Sequence, residues 1–200
     1  MKIHKNTLND FGYLYIEDIF TEYELKSINQ EIKNMDWIMD NLERIKEERL
    51  FNSAHDENDN PMMTGNGVFI DDIYYNKDCS ATLTYNRKIF QEEIKEAMES
   101  THPANVCVNL TNFDATSLNR YNKGHKYSPH LDNSVLTCIT LLSFNDKEMQ
   151  GGNLVFTDYN IEFKFKNNSA VYFPSWVKHH CTEIKSDATR YSIAQFVSIR

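Results

Sequence analysis

Hydrophobic and polar positions change their period once along this chain, and the change divides it. Phe11 to Ile16 is a short aromatic and aliphatic run of strand length. Thr21-Glu22-Tyr23-Glu24 then has the form of a capping box, with Thr21 as N-cap and Glu24 three residues on. Leu25, Ile28, Ile32 and Met35 follow at helical spacing, so this helix has one buried face. Trp37 to Leu50 reads as a second, more charged helix, with Glu43, Arg44, Glu47 and Glu48 on a solvated face. Asn52 to Gly67 gathers Asn, Asp, Gly and Pro, including Asn60-Pro61 and Gly65-Asn66-Gly67, and marks a loop. A third helix, from about Arg87 to Ser100, puts Ile89, Phe90, Ile94, Ala97 and Met98 on one face and ends before His102-Pro103. From Asn105 onward the period is two. Ile161, Phe163 and Phe165 alternating with Glu162, Lys164 and Lys166 is its clearest instance.

The pattern predicts a mainly β protein with N-terminal helices, an α+β arrangement. About eight short antiparallel strands close most naturally into a double-sheet jelly roll, the double-stranded β-helix. Two hundred residues suit a single domain over 1–200, with 1–104 as helical support and a candidate lid loop and 105–200 as the jelly-roll core. No internal repeat interrupts it.

Composition narrows the function classes. An apolar content of 40% with 12% aromatics excludes general disorder, and a net charge of −8 disfavours a nucleic-acid surface, which needs a basic stripe. A peptide, protein or small-molecule partner fits better. Cys79, Cys107, Cys138 and Cys181 make no C-x-x-C or paired pattern, so reduced thiols are expected rather than a zinc knuckle or disulfide framework. The first residues carry no signal-peptide apolar run and no stretch approaches a membrane span, from which a soluble, cytoplasmic protein is expected.

Candidate chemistry is concentrated in the β region. His130-x-Asp132 presents an imidazole and a carboxylate on one strand face, and a second histidine from a facing strand would complete three corners of an octahedron. Two His and one carboxylate with open positions is the ligand set of non-haem Fe(II) oxygenases, whereas structural zinc sites are closed by four ligands. A core histidine beside a surface aspartate is the plain alternative. Arg190 and Ser192 share a strand face, so a guanidinium and a hydroxyl could together grip a carboxylate, with a structural salt bridge as the alternative. Because adjacent strand residues face opposite ways, only one of His179 and His180 can look inward. His125, in Gly124-His125-Lys126, reads as a loop residue.

The wider arrangement runs Arg120-Tyr121-Asn122-Lys123-Gly124, Tyr127-Ser128-Pro129-His130-Leu131-Asp132, Gly151-Gly152-Asn153-Leu154-Val155-Phe156, Val171-Tyr172-Phe173-Pro174, His180 and Arg190-Tyr191-Ser192. In order and spacing it resembles the 2-oxoglutarate- and Fe(II)-dependent dioxygenases, in particular the prolyl 4-hydroxylase-like branch, over about residues 105 to 200. The resemblance implies a jelly-roll fold and metal ligands at His130, Asp132 and His180, the last chosen by its spacing to Arg190. It implies Arg190 on the distal carboxylate of 2-oxoglutarate, with Ser192 sharing its face. Tyr121 and Tyr127 are expected to line the cosubstrate or substrate pocket, a core tyrosine with its hydroxyl bonded being the alternative. Fe(II) and 2-oxoglutarate are the implied cofactors, with ascorbate as a reductant. One departure concerns the strand Val135 to Phe144, where several prolyl hydroxylases carry a Tyr and this chain has Thr137, Thr140 and Leu141.

The activity implied is hydroxylation of a prolyl residue in a peptide or protein, with release of succinate and CO₂. Hydroxylation of a free amino acid or other small molecule would use the same residues, and a non-catalytic jelly-roll binding module is the alternative from another class. A nucleic-acid demethylase is disfavoured because the second Arg typical of that branch falls at Phe196, and halogenation because Asp132 is present. The segment Asn52 to Tyr75 is the candidate lid, a plain connection being its alternative.

Overall fold

The computed structural model describes residues 1–40, 55–145 and 147–200. The chain opens with a hairpin, β1 (Lys2–Thr7) and β2 (Gly12–Glu17), and continues into helix α1 (Glu22–Asp40). The capping box closes reciprocally: the Glu24 N–H donates to Thr21 Oγ1 at 3.3 Å and the Thr21 N–H to Glu24 Oε2 at 2.7 Å. Ile28, Ile32 and Met35 lie on the buried face, which Met39 extends, while Leu25 is only partly buried. Trp37 to Asp40 continue α1 rather than starting a new helix, and the remainder of the expected second helix, with its charge run, lies outside the described residues.

Residues inside the candidate lid differ from expectation. Asn66–Phe69 form β3, which pairs with β4 (Phe113–Tyr121), and Ile70–Ile73 make one helical turn, α2. A four-residue strand with Gly67 inside carries too little periodicity to be read from sequence. Ala81–Asn86 form α3, a 3-10 turn spans Arg87–Phe90, and α4 covers Glu92–Glu99, so the third expected helix is broken at Gln91.

Seven strands more follow β4: β5 (Tyr127–His130), β6 (Leu136–Leu142), β7 (Leu154–Phe156), β8 (Ile161–Phe163), β9 (Ser169–Pro174), β10 (His179–Cys181) and β11 (Arg190–Ser198). They build two antiparallel sheets, a major one ordered β1-β2-β9-β6-β11-β4-β3 and a minor one ordered β5-β10-β7-β8. The N-terminal region therefore supplies three strands of the major sheet as well as its helical support. One face of the major sheet, with Ile193, Val197 and Leu142, packs on α1, α3 and α4; the other, with Ile139, Leu141, Val171 and Phe173, meets the minor sheet. Arg120 of β4 pairs with Asp36 and Asp40, and Tyr191 donates to Asp36 at 2.9 Å, which ties α1 to the sheet.

Gly151 and Gly152 make the turn ahead of β7, both at positive φ (76° and 68°). A Cβ on Gly151 would stand 1.9 Å from the Glu183 carbonyl oxygen, whereas one on Gly124 (φ 84°) would meet nothing within 4 Å. Gly124→Ala should therefore lose only the ~1–2 kcal/mol of left-handed strain, while Gly151→Ala should lose clearly more because backbone must also move. Urea unfolding of both variants checks the order; equal losses would contradict the packing account.

Candidate active site

The minor sheet sets the site by register. His130 of β5 and His179 of β10 are direct antiparallel partners, so their imidazoles leave the sheet on the same side. His179 also pairs with Phe156 of β7, whose side chain is fully buried between the sheets. Pro129 is tolerated because β5 is the sheet edge. The strand ends at His130. Asp132 lies just beyond it, held by its N–H donating to the Ser175 carbonyl at 3.2 Å, and Leu131 between them turns outward.

His130, Asp132 and His179 converge so that one ligand atom from each lies within 4.8 Å of the others. His130 Nε2 is 3.6 Å from Asp132 Oδ1, and His179 Nε2 is 3.4 Å from Asp132 Oδ2. The cluster therefore contains His179 where His180 was expected as the third ligand, a correction of the expected geometry. The spacing to Arg190 misled by one residue: His180 pairs with Val155, faces the other way, and bonds Thr157 Oγ1 through Nδ1 at 2.9 Å at the cavity's half-exposed rim.

The surroundings prepare the trio for a cation. His130 Nδ1 lies 2.8 Å from the Ser128 carbonyl and His179 Nδ1 lies 3.0 Å from the Val177 carbonyl. A carbonyl can only accept, so both protons sit on Nδ1 and both Nε2 lone pairs face the aspartate. Burial, followed by repulsion from His179, holds the His130 pKa well below its ordinary value and keeps the ring neutral, as a ligand must be. Thr137 Oγ1 donates to Asp132 Oδ2 at 2.7 Å and contacts Ser175 Oγ at 2.8 Å, which in turn meets Ser134 Oγ at 2.6 Å. This hydroxyl chain fixes the carboxylate from behind. Tyr127 stacks on His130 (centroids 3.8 Å apart, 17°) and Phe173 packs edge-on against His179.

A cavity of about 360 Å³, within the range of small-molecule sites, opens beside the trio. Arg190 and Ser192 of β11 line its depth with Tyr121, and Tyr127 forms a wall. Arg190 is only 2% exposed, its guanidinium 4.9 Å from the centre of the Tyr121 ring, yet its Nε and Nη1 have no hydrogen-bond partner. A buried cation with two free N–H groups facing a cavity fits a carboxylate. The Tyr121 hydroxyl donates to Met63 Sδ at 3.2 Å, and burial raises its pKa far above the ordinary phenol. His125 stays in a turn, its Nδ1 accepting from the Asn122 N–H at 3.2 Å, outside the cavity.

Sequence reasoning raised Thr137 only as a stand-in for a tyrosine. Its actual place, behind Asp132, depends on how β6 passes the loop after β5, for which no local signal exists. From the candidate lid, Phe69 lines the cavity, Met63 reaches Tyr121, and the Thr64 and Lys126 backbones join at 3.0 Å. Among the described residues no helix is long and apolar enough to cross a membrane.

Two sheets with a His-Asp-His cluster at one end of the crevice and a buried arginine deeper within form a candidate site for a metal ion and a carboxylate. Residues 116–198 match the family model of the 2OG-Fe(II) oxygenase superfamily. That stretch carries His130, Asp132, His179 and Arg190, and the superfamily it matches is named for Fe(II) and 2-oxoglutarate. The whole fold is similar to a prolyl-4-hydroxylase of Pseudomonas putida, with TM-score 0.65 and 15% identity over 95% of this chain and 94% of the other. It is also similar to the viral collagen prolyl hydroxylase of Paramecium bursaria Chlorella virus-1 in its 2OG complex, with TM-score 0.59 and 13% identity over 94% and 96%. A prolyl hydroxylase of Trichoplax adhaerens, in complex with a hypoxia inducible factor oxygen degradation domain peptide fragment, gives TM-score 0.61 and 13% identity over 96% and 85%. No curated protein sequence matches the chain.

Proposed function

We propose that this protein hydroxylates a prolyl residue within a peptide or protein, using Fe(II) and 2-oxoglutarate and releasing succinate and CO₂. The observation that carries the substrate class is the charge inventory of the cavity. Among the described lining residues the permanently charged groups are Arg190 and Asp132, and both are engaged by cosubstrate and metal on this reading. Around the mouth stand Phe69, Leu131, Phe196 and Ala115. A free amino acid would bring an ammonium and a carboxylate into this apolar surround with no counter-charge, and each desolvated charge costs several kcal/mol. A proline flanked by peptide bonds brings neither. The similar folds named above belong to prolyl hydroxylases, one of them holding a peptide, which supports the same reading.

In this reading Fe(II) is held by His130 Nε2, His179 Nε2 and an Asp132 oxygen, and 2-oxoglutarate by Arg190 with Ser192 beside it. The bound metal and cosubstrate supply the oxidising chemistry. The chain's own contribution is positional. Two Nδ1–H···O=C bonds keep the imidazoles neutral and aimed, and the Thr137 hydroxyl prevents Asp132 from rotating away. The apolar walls exclude bulk water, which protects a reactive site from side reactions. The four free cysteines fit a reducing compartment, and we assign the reaction to the cytoplasm with ascorbate as an auxiliary reductant.

Succinate release and a 16-dalton gain on product, measured with a proline-containing peptide array against free L-proline, test the substrate class. We expect turnover on peptide and at least ~100-fold lower kcat/KM on free proline, from two uncompensated buried charges. Free proline turning over as well as any peptide would overturn the peptide assignment.

A further inference from the structure

We propose that Asn119 is a cosubstrate-positioning residue whose side-chain amide donates to the 2-oxoglutarate carboxylate that Arg190 holds. The assignment rests on the cosubstrate reading of the cavity. Asn119 lies on β4 directly opposite Ser192 of β11, two residue pairs from Tyr121–Arg190 and so on the same face, and lines the same cavity. It is only 4% exposed. The buried Ser117 hydroxyl donates to Asn119 Oδ1 at 3.0 Å, which leaves the Nδ2 end of the amide turned away from Ser117. Nδ2 donates to no group among the described residues.

The neighbouring strand is shaped around this side chain. Gly67 of β3 pairs with Asn119, and a Cβ on Gly67 would stand 2.3 Å from Asn119 Oδ1, so only glycine leaves the space the amide occupies. Among the described residues, the other neighbour of β11, β6, offers no equivalent donor. Facing Ser192 across the sheet, β6 presents Leu141. Thr140 pairs with Ile193 on the helix-packed face, and the Thr137 hydroxyl is taken by Asp132. The Tyr121 hydroxyl already donates to Met63. A carboxylate offers about four lone-pair directions. Arg190 Nε and Nη1 can fill two, and Asn119 Nδ2 provides a further donor from the adjacent strand.

Calorimetric titration of Mn(II)-loaded protein with 2-oxoglutarate reads this directly. Asn119→Ala should weaken binding about 10- to 50-fold, the loss of one hydrogen bond to a charged group. Asn119→Asp, nearly isosteric, should weaken it by more than ~100-fold because it sets carboxylate against carboxylate. Mn(II) affinity should stay at the wild-type level in both, and the peptide KM at saturating 2-oxoglutarate should not move. A packing role predicts the reverse order, with Asn119→Asp the milder change. Asn119→Asp within about threefold of wild type, or a defect confined to the peptide KM, overturns the assignment; should that variant fail to fold, unchanged binding by Asn119→Ala does so instead. Wild-type protein that does not bind 2-oxoglutarate overturns the cosubstrate reading itself. Wild type that binds, with Arg190→Met impaired and Asn119→Ala unchanged, overturns only the role of Asn119.

Discussion

Replacing His179 with Ala is expected to abolish iron binding, while replacing its neighbour His180 with Ala leaves it nearly intact. His179 is 2% exposed, its Nε2 is 3.4 Å from Asp132 Oδ2, and its Nδ1 is engaged by the Val177 carbonyl, so its free lone pair can only be directed at the trio. Loss of an outer partner of a metal ligand costs about 10- to 100-fold in affinity; loss of a ligand itself should exceed that. His180 stands at the rim and bonds Thr157. Its removal should change Fe(II) affinity by less than about threefold, well inside the cost of losing an outer partner. Anaerobic Fe(II) titration, or Mn(II) titration followed by magnetic resonance, separates the two. Equal losses in both variants would sink the register argument. Because burial holds His130 neutral well below its ordinary pKa, metal binding should lose nothing to proton competition at that ring between pH 6 and 8.

The second large effect concerns Arg190 and has two signs. Its guanidinium is buried, and its Nε and Nη1 make no hydrogen bond to the described residues, so the fold itself offers these two donors no acceptor. Replacement by Met, of similar length and without charge, relieves that desolvation cost and should leave the melting temperature of the ligand-free protein unchanged or raised. The same change should weaken 2-oxoglutarate binding by about 100-fold or more, since a buried charge-assisted pair is lost. The melting-temperature rise that wild type gains on adding metal and 2-oxoglutarate should then vanish. A melting scan with and without cosubstrate gives both results. A large drop in the ligand-free melting temperature would mean that Arg190 serves the fold rather than the ligand.

Much of this was legible from the chain. The capping box at Thr21, the period of 3.6 through Met35 and the period of two after Asn105 are local patterns, and local backbone preference is enough to turn them into α1 and the strands. The spacing of His130, Asp132 and Arg190 was legible for the same reason, because each sits on or beside a strand whose alternation is written in its neighbours. β3 was not, since four residues around Gly67 have no period, and the short α3 gave no usable signal. The hydroxyl chain from Ser134 through Ser175 and Thr137 to Asp132 was not legible either, because it closes through Ser175, 38 residues beyond Thr137.

Sequence alone determined that two adjacent histidines, one aspartate and one arginine belonged to a β framework, and that a single histidine of the pair could face inward. Which one did was decided in three dimensions. The side of a strand on which a residue emerges is set by its pairing, and His179 pairs with His130 and Phe156 across two strands while His180 does not. A shift of one residue in that register would have exchanged their roles without altering a single letter of the chain.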